Sequence, residues 1–220
     1  MERDLIRDIH AIAGAIVGIS GLIQIILRKG GSFHRILGNI YFYSWFVIVG
    51  TGALLGSLLV TLFGVFGWYM AFTGYRFGKR KNSNSTLLDK IVISAGILFA
   101  LSTLIWGVYI LILGNITFGI VAVFFGAIFS FLCYKDILEF ILKKPVRRLS
   151  NHPLQWYFEH FGRMIISYIA AITAFAVINN IFGIPLLNWI LPTFIGTAII
   201  IILNRRYNKK FNIRVGPKNK

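Results

Sequence analysis

Seven apolar stretches alternate with short polar connections along the 220-residue chain. Each stretch has about the 17–25 residues that an α-helix needs to cross a bilayer core roughly 30 Å thick. Backbone polar groups cannot stay unpaired in lipid, so each stretch is expected to be helical. The predicted spans are Ile9–Leu27, Ile36–Leu55, Leu58–Tyr75, Ile91–Leu113, Ile116–Tyr134, Phe161–Ile181 and Pro185–Leu203. We therefore predict an all-α, polytopic membrane bundle of about seven transmembrane helices, forming one domain over residues 1–220.

The division between the second and third spans depends on length. The stretch from Ile36 to Tyr75 contains no charged side chain and is about twice as long as one span requires. Gly56–Ser57 lies near its middle, and glycine accepts the backbone angles that turns need. We predict two helices joined by a turn at this position.

The basic residues fall in alternate connections. Residues 28–35, 76–90, 135–163 and 205–220 hold every Lys and Arg except Arg3 and Arg7, whereas the connections near Gly56, Gly114 and Gly183 hold none. Cytoplasmic loops of membrane proteins carry an excess of Lys and Arg. This pattern predicts an N-terminus outside the cell and a cytoplasmic C-terminus.

The composition narrows the class of protein further. Hydrophobic residues make up 57% of the chain and charged residues only 14%, which excludes an ordinary soluble enzyme. The net charge of +16 is spread over four short segments, so it indicates orientation and attraction to anionic lipid head groups, not nucleic-acid binding. Residues 137–148 are expected either to lie along the membrane surface, with Trp156 as an interfacial anchor, or to form a solvated loop.

The small residues and the polar residues share helix faces at the 3.6-residue period. His10, Gly14, Gly18, Gly21 and Gln24 form one face of the first span, and His34, Gly38, Tyr41, Trp45 and Gly52 form one face of the second. The third span has a stripe of Gly64, Gly67, Ala71, Gly74 and Gly78, and the sixth aligns His160, Met164, Ser167, Ala171 and Ala174. These faces are the ones expected to pack, with the GxxxG of Gly14 and Gly18 serving contacts within the chain or in a dimer.

His34 and His160 are the leading candidates for chemistry. They lie on different helices at similar depth near the cytoplasmic boundary, so they could ligate a haem b iron or contact a quinone. Arg35 and Arg163 would then face propionates or a quinone oxygen, with the alternative that both reach out to lipid head groups. His10 stands alone near the outer boundary, where an interfacial hydrogen-bonding role is the simpler interpretation.

The motifs resemble those of a bacterial family of multi-pass membrane proteins described only as a domain of unknown function. The resemblance is carried by His10-x3-Gly14, by His34-Arg35-x2-Gly38-x2-Tyr41 and by His160-x3-Met164-x2-Ser167-Tyr168. It implies a helical membrane fold in a bacterial inner membrane, with recurrent positions at His10, His34, Arg35 and His160. It implies no reaction.

Four functions are compatible with these features. The first is a redox or cofactor-binding membrane protein that holds haem or quinone through His34 and His160. The second is a small-molecule or proton-coupled transporter, although no span has a carboxylate at its middle. The third is a zinc-dependent hydrolase built from His34, His152, His160 and either Asp136 or Glu139. The fourth is a structural subunit of a homo-oligomer or membrane complex.

Overall fold

The computed structural model describes residues 1–56, 58–82, 84–147, 149–150 and 152–213. Ser57 of the predicted turn and the basic residues Arg148, Arg214, Lys218 and Lys220 lie outside the described residues. The helices are α1 (Glu2–Ile26), α2 (Ser32–Leu55), α3 (Leu58–Arg80), α4 (Leu87–Ile112), α5 (Ile116–Asp136), a π-helical turn (Ile137–Ile141), α6 (Gln155–Asn179) and α7 (Pro185–Lys210). All regular structure in these ranges is helical.

The seven long helices are each apolar enough to cross a membrane, which confirms the predicted fold class. Their outward faces carry exposed apolar side chains such as Ile12, Leu98, Ile105, Phe194 and Ile202. A soluble protein of this size would bury most such side chains in its core, away from water, whereas lipid solvates them on the surface of a membrane protein. The protein is therefore an integral, multi-pass membrane protein.

The turn between α2 and α3 confirms the division that was predicted from length. Gly56 ends α2 in the left-handed region with φ of 95°, a conformation that glycine reaches without a Cβ clash. Several helices continue beyond the predicted spans at the end that holds the charged connections: α3 reaches Arg80 and α7 reaches Lys210. The predicted spans end at the first charged residues, whereas the helices themselves continue through these residues.

The start of α4 is fixed by a capping box. The side chain of Thr86 accepts a hydrogen bond from the Asp89 backbone N–H, and the Asp89 carboxylate accepts one from the Thr86 backbone N–H. Asp89 is also buried against Arg76 at 3.1 Å and Arg80 at 2.7 Å, two residues of α3. This cluster ties α3 to α4 at the charged end.

Successive helices run in opposite directions, so the α1–α2, α3–α4 and α5–α6 connections and the end of α7 lie together. We call this end of the bundle the basic end. Among the seven helices α3 is the most buried, and it packs mainly against α6, while α4 packs along α5 and α1 along α2. The core is aromatic, with Trp45, Phe63, Tyr69 and Trp189 almost fully buried.

The segment after α5 does not lie on the membrane surface, and that expectation is wrong for residues 137–141. The π-helical turn continues α5 and buries Phe140 against Phe77 and Ile93. Trp156 packs against the same cluster. This packing draws the α5–α6 connection over the basic end and brings its polar residues into the bundle.

Candidate functional site

Two imidazoles meet between α2 and α6 near the basic end. The ring centroids of His34 and His160 are 6.4 Å apart and the ring planes are inclined at 84°. The sequence predicted this pair from its depth alone, and the structure brings both residues together. We call His34 and His160 the imidazole pair.

The two rings differ in how they are held. His160 Nδ1 lies 2.8 Å from the carbonyl oxygen of Gly74, so this nitrogen carries the proton and donates. His34 Nδ1 is buried and has no hydrogen-bond partner among the described residues. A buried polar atom without a partner is energetically unfavourable, and of the two Nδ1 atoms in the pair this is the one left unsatisfied.

Glycines on α3 make room for the His160 ring. A Cβ at Gly78 would lie 2.7 Å from His160 Nδ1, and a Cβ at Gly74 would lie 3.0 Å from the Arg163 Cβ. The α3 glycine stripe is thus filled by side chains of α6. On the opposite side, the Gln24 amide of α1 lies 3.6 Å from the Cβ position of Gly38, one turn from His34.

Tyr41 lies two turns deeper on α2 and is fully buried. Its hydroxyl lies 2.6 Å from Ser167 Oγ, which itself donates to the Met164 carbonyl oxygen at 2.8 Å. Because the Ser167 hydroxyl proton is donated to Met164, Tyr41 is the donor in its hydrogen bond with Ser167. This arrangement connects α2 to α6 and makes Tyr41 a packing residue beneath the imidazole pair.

The structure places Arg35 at the surface of the bundle and His10 near its opposite end. Arg35 is exposed at the start of α2. His10 Nδ1 lies 2.8 Å from Thr51 Oγ1, near the end of the bundle opposite the basic end. It is 14 positions before Gln24 on α1, a separation of about 21 Å along the helix axis.

One interpretation of the sequence was that Arg163 extends to lipid head groups, and the structure shows that this is wrong. Arg163 is 5% exposed and is paired inside the bundle. Its Nη2 lies 2.5 Å from Asp136 Oδ1 and its Nη1 lies 3.0 Å from Asp136 Oδ2. Arg163 also donates to Thr73 Oγ1 and to Glu159, both at 2.8 Å. Tyr69 donates its hydroxyl to Asp136 at 2.5 Å.

Arg147 from the α5–α6 connection enters the same cluster. It donates to Asp136 and to Glu139 at 2.7 Å, and it forms an ion pair with Glu159 at 3.1 Å. Burial works against the charge of Arg147, but the carboxylates of Glu159, Asp136 and Glu139 outweigh it and hold its pKa above the usual value. We call these five ionic residues (Asp136, Glu139, Arg147, Glu159 and Arg163) the buried ion cluster.

The sequence did not predict the buried ion cluster. The sequence suggested Asp136 only as an alternative zinc ligand, and its partners come from α3, from α6 and from a connection. The only local signal was an acidic residue directly after an apolar run, a position at which a carboxylate needs a partner when it is buried.

A cavity of about 540 Å³ opens beside the buried ion cluster, between α5, α6 and α7. Arg147, Glu159 and Arg163 form part of its wall, and Lys135 and Arg205 add two more cationic side chains. The remaining wall includes apolar side chains of α6 and α7, among them Ile166 and Ile201. Its volume suits a small molecule or part of a lipid.

The zinc-site alternative has no ligand set in the described part of the chain. No group of three His, Cys, Asp or Glu side chains there is arranged to hold a metal ion. His152 Nδ1 instead accepts a hydrogen bond from the Leu154 backbone N–H at 3.1 Å, a local turn contact. The carboxylates of Asp136 and Glu139 form ion pairs with arginines.

Comparison with protein families, with characterised proteins and with solved structures finds no match to this chain.

Proposed function

We propose that this integral membrane protein binds a cofactor of the quinone class at the imidazole pair. The observation that supports the proposal is the meeting of His34 and His160 at 6.4 Å, with one buried ring nitrogen unpartnered among the described residues. A quinone offers carbonyl oxygens that accept a hydrogen bond from an imidazole N–H, and His34 can supply one because its ring is not already bonded at Nδ1. It also dissolves in lipid, and the pair lies near the membrane surface, where a ring on an apolar tail can enter from the side.

Haem b fits this site less well than a quinone. A porphyrin needs a wide flat slot beside its axial ligands, and the α3 glycines could have provided one. That space is filled, because His160 packs on Gly78, while Gly74 is covered by Met164 and Arg163. The filled glycine stripe therefore leaves no slot for a porphyrin beside this pair.

Transport is the second candidate, and the cavity beside the buried ion cluster favours it. Asp136 is fully buried, as the proton-carrying carboxylates of many carriers are. Two guanidinium groups hold it, however, and they favour its charged form. Its contacts are thus better suited to stabilising the bundle than to carrying protons.

Replacing His34 or His160 by alanine is expected to weaken quinone binding. The hydrogen bond to the quinone comes from His34, because the His160 N–H is already donated to Gly74. One neutral hydrogen bond contributes about 0.5–1.5 kcal/mol, so the Kd should rise about two- to tenfold in His34→Ala, and His160→Ala should weaken binding by removing the ring beside His34. The measurement is a titration of purified protein in nanodiscs with decylubiquinone, followed by quenching of tryptophan fluorescence.

His10→Ala is the matched control, because it removes the same ring at the opposite end of the bundle. It should bind decylubiquinone as the unmodified protein does. Equal loss in all three variants, or no saturable binding, would contradict the proposal. A Soret band that forms on haem supplementation and disappears in His34→Ala would identify haem as the ligand instead.

We also propose that the basic end faces the cytoplasm and that the protein resides in the plasma membrane, the inner membrane in a bacterium. The support is the concentration of Lys and Arg in the connections at this end. A green fluorescent protein fused after Lys220 should fluoresce, and alkaline phosphatase fused there should be inactive. An active phosphatase fusion would contradict this orientation.

A further inference from the structure

The cavity between α5, α6 and α7 has a polar wall and an apolar wall. Lys135 of α5 and Arg205 of α7 contribute cations, while Ile166 of α6 and Ile201 of α7 contribute hydrocarbon. Ile201 is 47% exposed at the edge, on a face that lipid covers in a membrane-spanning helix. Since α5 and α7 make few contacts with each other, the cavity has a lateral route to the bilayer at this edge.

The cations of the polar wall are not equivalent. Arg147 and Arg163 are neutralised by the three carboxylates of the buried ion cluster. Lys135 and Arg205, in contrast, form no ion pair with any carboxylate in the described residues. The buried ion cluster has three carboxylates against two arginines, so with Lys135 and Arg205 these seven side chains carry one net positive charge. An anion entering the cavity would meet the two cations that have no ion pair.

Asn208 provides a second observation that points to a ligand. Its Oδ1 is buried beside the cavity and has no hydrogen-bond partner within the described ranges. A ligand hydroxyl would satisfy this acceptor. The cavity thus combines a place for an anionic group, a hydroxyl acceptor and an apolar wall that leads to lipid.

We propose that this cavity binds a membrane amphiphile whose head group carries a phosphate and a hydroxyl. The phosphate lies between Lys135 and Arg205, the head-group hydroxyl donates to Asn208, and the first part of an acyl chain follows Ile166 and Ile201. The proposal does not involve the imidazole pair, so it is independent of quinone binding.

The test compares phosphatidylglycerol with phosphatidylcholine by native mass spectrometry of the detergent-solubilised protein. Phosphatidylglycerol has both a net negative charge and head-group hydroxyls, whereas phosphatidylcholine has neither. One retained copy of phosphatidylglycerol, held in preference to phosphatidylcholine, is expected. Equal retention of the two lipids would overturn the proposal.

Two kinds of variant locate the binding. Lys135→Gln with Arg205→Gln removes both cations that have no ion pair, so phosphatidylglycerol binding should weaken about tenfold or more. Gly162→Phe keeps all charges and fills the cavity, because Gly162 lies in its wall and a Cβ there meets no atom within 4 Å. It should abolish the preference for phosphatidylglycerol.

The matched control is Arg206→Gln with Lys209→Gln. It removes two exposed charges from the same end of α7, and neither residue lines the cavity. Equal weakening in this control would show general surface attraction and overturn the proposal. A further arm adds inorganic phosphate: competition at the same concentration as phosphatidylglycerol would assign the cavity to a soluble anion and overturn the amphiphile.

Discussion

Asp136→Asn is expected to destabilise the protein by about 3–5 kcal/mol, the usual effect of removing one partner from a buried ion pair. Asp136 is fully buried and binds Arg163 and Arg147, which are themselves only 5% and 10% exposed. Asparagine keeps the shape but loses the charge, so two guanidinium groups would remain buried with less compensation. The measurement is thermal unfolding in one fixed detergent, where the Tm should fall on the order of 10 °C.

Asp4→Asn provides the matched control for the Asp136 substitution. Asp4 pairs with Arg7 at 3.2 Å, but both side chains are mostly exposed, so the same chemical change should leave the Tm unchanged. A double variant, Asp136→Leu with Arg163→Met, should recover much of the lost stability, because it removes both charges and keeps apolar volume. An Asp136→Asn protein that melts like the unmodified one would contradict the proposed role of the buried ion cluster.

The number of helices could be predicted from sequence because each span is decided by its own length and apolar character. The turn at Gly56 followed from the same reasoning, since a stretch too long for one span must turn. The meeting of His34 and His160 was also within reach, as two residues at one depth whose side chains reach each other from α2 and α6. What these predictions share is a dependence on position along the membrane normal, which the chain itself encodes.

The rotation of each helix about its own axis was harder to predict. Arg35 and Arg163 both lie near the basic end, yet Arg35 is exposed and Arg163 is buried against Asp136. Adjacent positions on a helix differ by about 100° in direction, so depth alone cannot distinguish a lipid-facing arginine from an inward one. The Asp136 contacts arise from three separate segments, and no local pattern links them.

The GxxxG motif likewise did not identify the glycines at which two helices come close. Gly14 and Gly18 form a GxxxG, but a Cβ at either position would meet no atom within 4 Å, so they do not support packing within the chain. Among the described glycines, the two whose added Cβ would come nearest to the backbone of another helix are instead Gly107 and Gly126, which belong to no GxxxG. A glycine matters for packing only when its face is the one turned to a neighbour.

Gly107→Val and Gly126→Val are therefore expected to force α4 and α5 apart. A Cβ at Gly107 would lie 2.7 Å from the Val123 backbone nitrogen, and one at Gly126 would lie 2.8 Å from the Leu104 backbone nitrogen. Backbone atoms cannot rotate away as a flexible side chain does. Each substitution should destabilise the protein by about 1–3 kcal/mol, and the double variant by more, measured as the Tm in the same detergent.

Gly50→Val is the matched control for the two substitutions between α4 and α5, because it adds the same β-branched side chain to the interior of α2. Gly50 is exposed, and a Cβ there would meet nothing within 4 Å, so the side chain should project into lipid or detergent. In a helix interior, glycine is also the poorer helix former of the two residues. The Tm should accordingly stay level or rise slightly. If Gly50→Val lowered the Tm as much as Gly126→Val does, backbone proximity of α4 and α5 would not be the cause.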